Sequence, residues 1–237
     1  MSGWWLVISQ YVRPIVIFLY AASFLVIFLA IITQKGRTAH LELVDGFYVL
    51  ALFGLFHFLA DASLIPLVLS QFLRSSHQVL LVRLGLYLLS FQFLLYFGFM
   101  ILTKPEARLR WFVYLTPLVI GIHYVIAVNI ASNLMAALKY AALLLAGPSS
   151  VVAGVAFIYL AIKLGSLHLR SLTRNSWALA AAFLAFAVLK IFIIVSPEEV
   201  SLPPMYVLVI RMIVGLVIAF YVVKVLSIFK LEPSERS

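Results

Sequence analysis

The chain of 237 residues has no cysteine, which excludes disulfides, thiolate metal sites and thiol catalysis. Charge is scarce as well. Only 11% of residues are Asp, Glu, Lys or Arg, where a soluble domain carries about a quarter. There is no Gly-rich phosphate loop and no long linker or low-complexity stretch. The start, Met1-Ser-Gly-Trp-Trp, lacks a basic n-region and a small-residue cleavage site, so no removable signal peptide is expected. What remains is apolar: 65% of the chain, with a mean hydropathy of +1.18. One soluble core cannot bury that much.

A bilayer crossing needs roughly 20 apolar residues. The apolar runs predict helices near 13–33, 46–69, 78–102, 111–131, 138–163, 176–196 and 205–229. Helices are required because backbone polar groups in lipid must be satisfied within the segment, and the runs lack the alternation of barrel strands. The expected fold is therefore all-α, a single seven-transmembrane-helix bundle over 1–237 with no soluble effector domain. Pro203-Pro204 suits the start of the last helix, where a missing N–H costs nothing.

The net charge of +9 would suggest nucleic acid in a soluble protein. Here its distribution reads as topology. Lys35, Arg37, Lys104, Arg108, Arg110, Lys163, Arg170, Arg174, Lys224, Lys230 and Arg236 fall on one side. The other side has Arg13, Arg74 and Lys139 near helix ends, with Glu198 and Glu199. The positive-inside rule places the N-terminus outside and the C-terminus in the cytoplasm, as a multi-pass protein of a bacterial inner (plasma) membrane.

Ionisable groups within apolar runs are costly and are functional candidates. They are His57 and Asp61, one turn apart on one face of the second helix, Arg83 on the third, His123 on the fourth, Lys139 at the start of the fifth, Lys190 on the sixth and Arg211 on the seventh. At about 1.5 Å of rise per residue, this topology gathers them in the outer half. One reading is structural: Asp61 pairs with Arg211 or Lys190, and Arg83 snorkels to the interface. The other is a polar cavity open to the outside, in which three cations facing one carboxylate favour a small anionic or zwitterionic ligand. Gly147 and Pro148 interrupt the fifth run. That break is either a static kink, with the following serines re-satisfying the freed carbonyl, or a moving element.

Several chemistries fall away. His57 and His123 are the minimum for bis-histidine haem ligation, but there is no second pair, so haem is a remote alternative and no cofactor is expected. A retinal Schiff base would need Lys190 in a suitable helix, and it lies in the sixth. His57 and Asp61 are half a metal site, so no metal is expected. No hydrolytic constellation is present, and the chain is not expected to be an enzyme.

Four stretches resemble a known family. Ala51-Leu-Phe-Gly-Leu-Phe-His57-Phe-Leu-Ala-Asp61 is similar to a Phe-Gly-x-x-His-Gly-x-x-Glu-Trp signature. Arg83 to Phe97-Gly98 resembles an Arg-led helix ending Ser-Phe-x-Phe-Leu-x-x-Phe-Gly. Lys139-Tyr140 with Gly147-Pro148 resembles an Arg-Tyr…Pro-Gly segment. Leu202-Pro203 to Arg211 resembles Ile-Pro-x-Gln-x-x-Arg, and 218–229 a Leu-x-x-Phe exit. These belong to the seven-helix sensor modules at the N-terminus of bacterial membrane histidine kinases and diguanylate cyclases. Phe58, Asp61, Ala62 and Lys139 depart from the pattern's Gly, Glu, Trp and Arg.

The resemblance implies a membrane sensor or signal-input module, responding to a ligand or to membrane state from outside, with output through the seventh helix. The chain stops at Ser237 without the family's signalling helix and catalytic domain. On this reading a cytoplasmic signalling protein acts in trans, or the chain is a shortened form of a longer kinase or cyclase. The expected partners are the bilayer, the small ligand, and that protein or a second copy as a homodimer; nucleic acid is not among them. A small transporter or channel for an anionic solute is the alternative, and an assembly partner for another membrane protein a third.

Overall fold

The computed structural model describes residues 3–33, 41–63, 76–103, 121–122, 124–125, 129, 136, 140–167, 169–195 and 205–229. Within them it is all helix. The elements are α1 (Gly3–Thr33), α2 (Leu41–Ala62), α3 (Ser76–Leu102), a π-helical turn (Ala142–Ala146) leading into α4 (Gly147–Ser166), α5 (Arg170–Val195) and α6 (Met205–Phe229). Five helices carry apolar stretches long enough to cross a membrane: Tyr11–Thr33, Leu81–Leu102, Leu143–Ser166, Arg170–Lys190 and Met205–Ile228. The apolar part of α2, Gly46–Ala62, is shorter. The helix expected over 111–131 lies largely outside the described residues.

The six helices form a closed ring, each packed on the next and α6 on α1. Partner residues give their directions. Phe24 meets Gly54 and Tyr20 meets His57, while Phe53 meets Phe91 and Asp61 meets Arg83, so α1, α2 and α3 alternate. Lys190 reaches Tyr87, and Phe186 meets Phe91, so α5 opposes α3. Phe157 stacks on Phe183, and Gly165 lies beside Thr173, so α4 opposes α5. It follows that α3 and α4 run parallel. Tyr20 lies against Gly215, and Ile17 clusters with Leu208, making α1 and α6 parallel too.

The ring is filled along its axis by phenylalanines. Phe24, Phe53, Phe91, Phe97, Phe157, Phe183 and Phe186 are all fully buried. Phe91 and Phe186 stack at 6.1 Å, and Phe24 meets Phe53 edge-on at 5.5 Å, the offset and perpendicular geometries that ring quadrupoles favour. Outward, α1 shows Phe18, Val26 and Leu29, α4 shows Val155 and Ile162, and α6 shows Ile210, Ile213 and Phe220. An apolar exterior around buried charge is the arrangement lipid requires and water would oppose. Close approach relies on glycine at two crossings: a methyl on Gly54 would lie 2.7 Å from the Phe24 carbonyl oxygen, and one on Gly98 3.1 Å from the Val152 carbonyl carbon.

Several boundaries differ from the hydropathy reading, among them the start of α2 at Leu41 instead of 46. α2 ends at Ala62, not 69, because Pro66 follows and disfavours helical conformation before it. Ser63 closes the end, its N–H bonded to the Leu59 carbonyl and its hydroxyl to that of Ala60. α5 begins at Arg170, not 176, because polar residues continue a helix at the interface without being apolar. α1 begins at Gly3, not 13: the residues before Arg13 are themselves mostly apolar, and the helix continues through Pro14. The start of α6 at Met205 is as expected.

Candidate functional site

At one end of the ring, five helices contribute polar groups to a single layer. Asp61, in the last turn of α2, is its centre. Asp61 Oδ1 accepts from an Arg83 guanidinium nitrogen at 3.4 Å, and an Arg211 nitrogen lies 3.8 Å away. Both contacts exceed the 2.7–2.9 Å of a tight charge-assisted bond. Asp61 Oδ2 lies 3.2 Å from His57 Nε2. Yet Oδ2 receives no hydrogen bond among the described residues.

The neighbours of His57 explain that orphan. Ser90 donates its hydroxyl proton to the Tyr87 carbonyl at 2.8 Å, so its oxygen can only accept from His57 Nδ1, 3.4 Å away. That assigns the proton of a neutral imidazole to Nδ1. Nε2 then accepts from the Tyr20 hydroxyl at 2.9 Å. Two acceptors, Nε2 and Oδ2, therefore face each other with no proton between them.

Tyr20 also supports Arg211, whose guanidinium carbon lies 4.7 Å from the ring centroid. Gly215, one turn beyond Arg211, leaves room for this: a methyl there would meet Ser23 Oγ at 2.7 Å and the Tyr20 ring at 3.0 Å. On the far side, Lys190 donates to the Tyr87 hydroxyl at 2.6 Å. Its ammonium lies 4.6, 4.8 and 5.1 Å from the ring centroids of Phe186, Tyr87 and Phe91.

Of the seven polar residues singled out in the sequence, His57, Asp61, Arg83, Lys190 and Arg211 thus share one layer; His123 and Lys139 lie outside the described residues. Two pairings differ from expectation. Arg83 turns inward to Asp61 instead of snorkelling, its side chain 12% exposed. Lys190 pairs with Tyr87 and not with Asp61, because the rings of Tyr87, Phe91 and Phe186 hold its ammonium. Gly147 is buried and Pro148 exposed. The serines after Pro148 bond the Ala146 carbonyl, at 3.2 Å from Ser149 and 2.6 Å from Ser150. The carbonyl one turn before Pro148 is that of Leu144, so the serines reinforce the junction between π-turn and helix instead of capping the proline gap.

No family model, curated protein or solved structure matches the chain. The chemistry of the layer must be read from its own atoms. Two guanidinium groups contact one carboxylate, with Lys190 across the layer on Tyr87; Nε of both Arg83 and Arg211 is buried without a partner among the described residues, as is Asp61 Oδ2. Such a layer offers donors to an anion and one acceptor to a donor. Among the described residues no three of His, Asp or Glu come together as a metal cluster would require. Tyr20, Tyr87, Ser90 and Gly215 did not stand out in the sequence. Arg83, Tyr87 and Phe91 do share the i, i+4 spacing of one helix face, a signal that points at Tyr87; Tyr20 in its apolar run has none.

Proposed function

We propose that the chain is a seven-crossing sensor module of the bacterial inner membrane that takes a small anionic or zwitterionic ligand into the Asp61 layer and passes a helix shift to a cytoplasmic partner. The observation that carries this reading is the under-partnered charge: Asp61 Oδ2 and Nε of Arg83 and Arg211 are buried and unbonded among the described residues. A buried ion without hydrogen bonds costs free energy, so a ligand that supplies them binds at a gain. Its acidic group competes with Asp61 for the two guanidinium groups, whose long contacts make Asp61 a weak competitor. Asp61, Arg83 and Arg211 stand on α2, α3 and α6, so the exchange acts on three helices. The ligand shifts the packing to the extent that it binds one arrangement better.

The parallel course of α3 and α4 supports a crossing between them; with the five long apolar helices and α2, whose apolar part is shorter, that gives the seven of this reading. Of the stretches that resemble kinase and cyclase sensor modules, three bring His57, Arg83 and Arg211 to this layer, with Asp61 standing where the pattern has Glu. The test is thermal unfolding of the protein in nanodiscs with a panel of small carboxylates and their uncharged amides. At least one carboxylate is expected to raise the midpoint while its amide does not, and Arg211→Gln to weaken that response about tenfold. A midpoint unmoved by every carboxylate would sink the proposal.

A second reading, an anion transporter, is favoured by the π-helical turn directly before Gly147-Pro148, since such irregular turns recur at functional sites. Carboxylate flux in proteoliposomes decides for it, and binding without flux decides for the sensor.

A further inference from the structure

At the opposite end of the ring from Asp61, the last turn of α4 and the first two turns of α5 enclose an open pocket of about 350 Å³, lined by Gly165, Arg170, Thr173, Arg174 and Trp177. Nothing in the sensor reading uses it. Arg170, Arg174 and Trp177 follow the i, i+4, i+7 spacing of one face of α5 and are all exposed. Gly165 forms the facing wall; a methyl there would lie 3.7 Å from Thr173 Cγ2, so glycine keeps the pocket wide.

Three features define an occupant. Both charged lining residues are arginines, whose planar forks match phosphate oxygens, and the ion pairs among the described residues all converge on Asp61, so neither guanidinium has a carboxylate partner among those residues. The pocket sits where the apolar span Arg170–Lys190 begins, at the level of lipid headgroups. Below Trp177, the exposed face of α5 continues through Ala181 and Ala185 to Val188. Two small side chains there keep the exposed face of α5 low along the span below the arginines.

We infer that this pocket is a binding site for an anionic glycerophospholipid, with its phosphate between Arg170 and Arg174, its glycerol against Trp177 and one acyl chain along Ala181 and Ala185. On the positive-inside topology the site faces the cytoplasmic leaflet. There a specific site adds headgroup selectivity to the general attraction of basic residues for anionic lipid.

The test uses the full chain in phosphatidylcholine nanodiscs with and without phosphatidylglycerol. Native mass spectrometry is expected to retain a phosphatidylglycerol adduct on the wild type, and the Arg170→Gln/Arg174→Gln variant to weaken its retention about tenfold. Lys224→Gln, which removes a cation at the same end of α6, should keep it. Chain-brominated phosphatidylglycerol should quench the fluorescence that Trp177→Phe removes, and brominated phosphatidylcholine should quench it less. Equal retention by wild type and double variant overturns the proposal, and so does equal quenching by the two lipids. Displacement of the adduct by inorganic phosphate alone would assign the pocket to a free anion and overturn the lipid. An unchanged unfolding midpoint of the double variant in detergent separates loss of the site from loss of the fold.

Discussion

Asp61 is the residue on which the polar layer depends. Replacing it with asparagine leaves the buried Arg211 and the half-buried Arg83 without their shared carboxylate, and breaking a buried pair from one side costs about 3–5 kcal/mol. A large fall in the unfolding midpoint of Asp61→Asn is expected in detergent. Asp61→Asn combined with Arg211→Gln should recover part of it, since the second change removes a stranded cation. Tyr20→Phe tests the hydrogen-bond chain through His57: Nε2 loses its donor, at about 1–3 kcal/mol for an unsatisfied buried acceptor. If Tyr20→Phe unfolds like the wild type, Tyr20 is not the donor. The charged members of this layer were legible in the sequence because a charge in an apolar run is rare. The tyrosines were not, since a phenol in lipid is ordinary and its role depends on what lies across the ring.

At the scale of helices, glycine separates crossings that need contact from positions that do not. Gly54→Ala forces a methyl to 2.7 Å from the Phe24 carbonyl oxygen, a backbone atom that cannot turn aside. Overpacking of this kind costs about 1–3 kcal/mol. Gly85 on α3 has nothing within 4 Å of its would-be methyl. Gly85→Ala is therefore expected to be neutral or to stabilise by up to about 1 kcal/mol through helix propensity. Unfolding midpoints of the two variants should move in opposite directions, or one should stay still; a matched fall would contradict the packing. Hydropathy located these helices but not all of their ends. The run beyond Ala62 stays apolar through Leu69, and only Pro66 signals the stop. The start of α5 is polar and still helical. The start of α6 was legible because two prolines precede it.

The described helices form a ring whose closure rests on α1 against α6. The chain has no cysteine, so a pair can be introduced without background. Ile17→Cys with Leu208→Cys, at two residues that cluster where α6 begins to pack on α1, is expected to cross-link on mild oxidation in membranes, and absence of a cross-link would open the ring. The membrane environment was legible from composition alone. The loop charges predict that the charged layer faces outward; a cytoplasm-active reporter fused after Ser237 is expected to be active, and silence there would reverse the orientation.

The most direct test of the central claim is an experimental density map of the Asp61 layer, taken with the protein equilibrated with the carboxylate that stabilises it most. The account predicts added density between the Arg83 and Arg211 guanidinium groups, with Asp61 displaced from both. Asp61 still contacting both arginines, with no added density beside them, would contradict it.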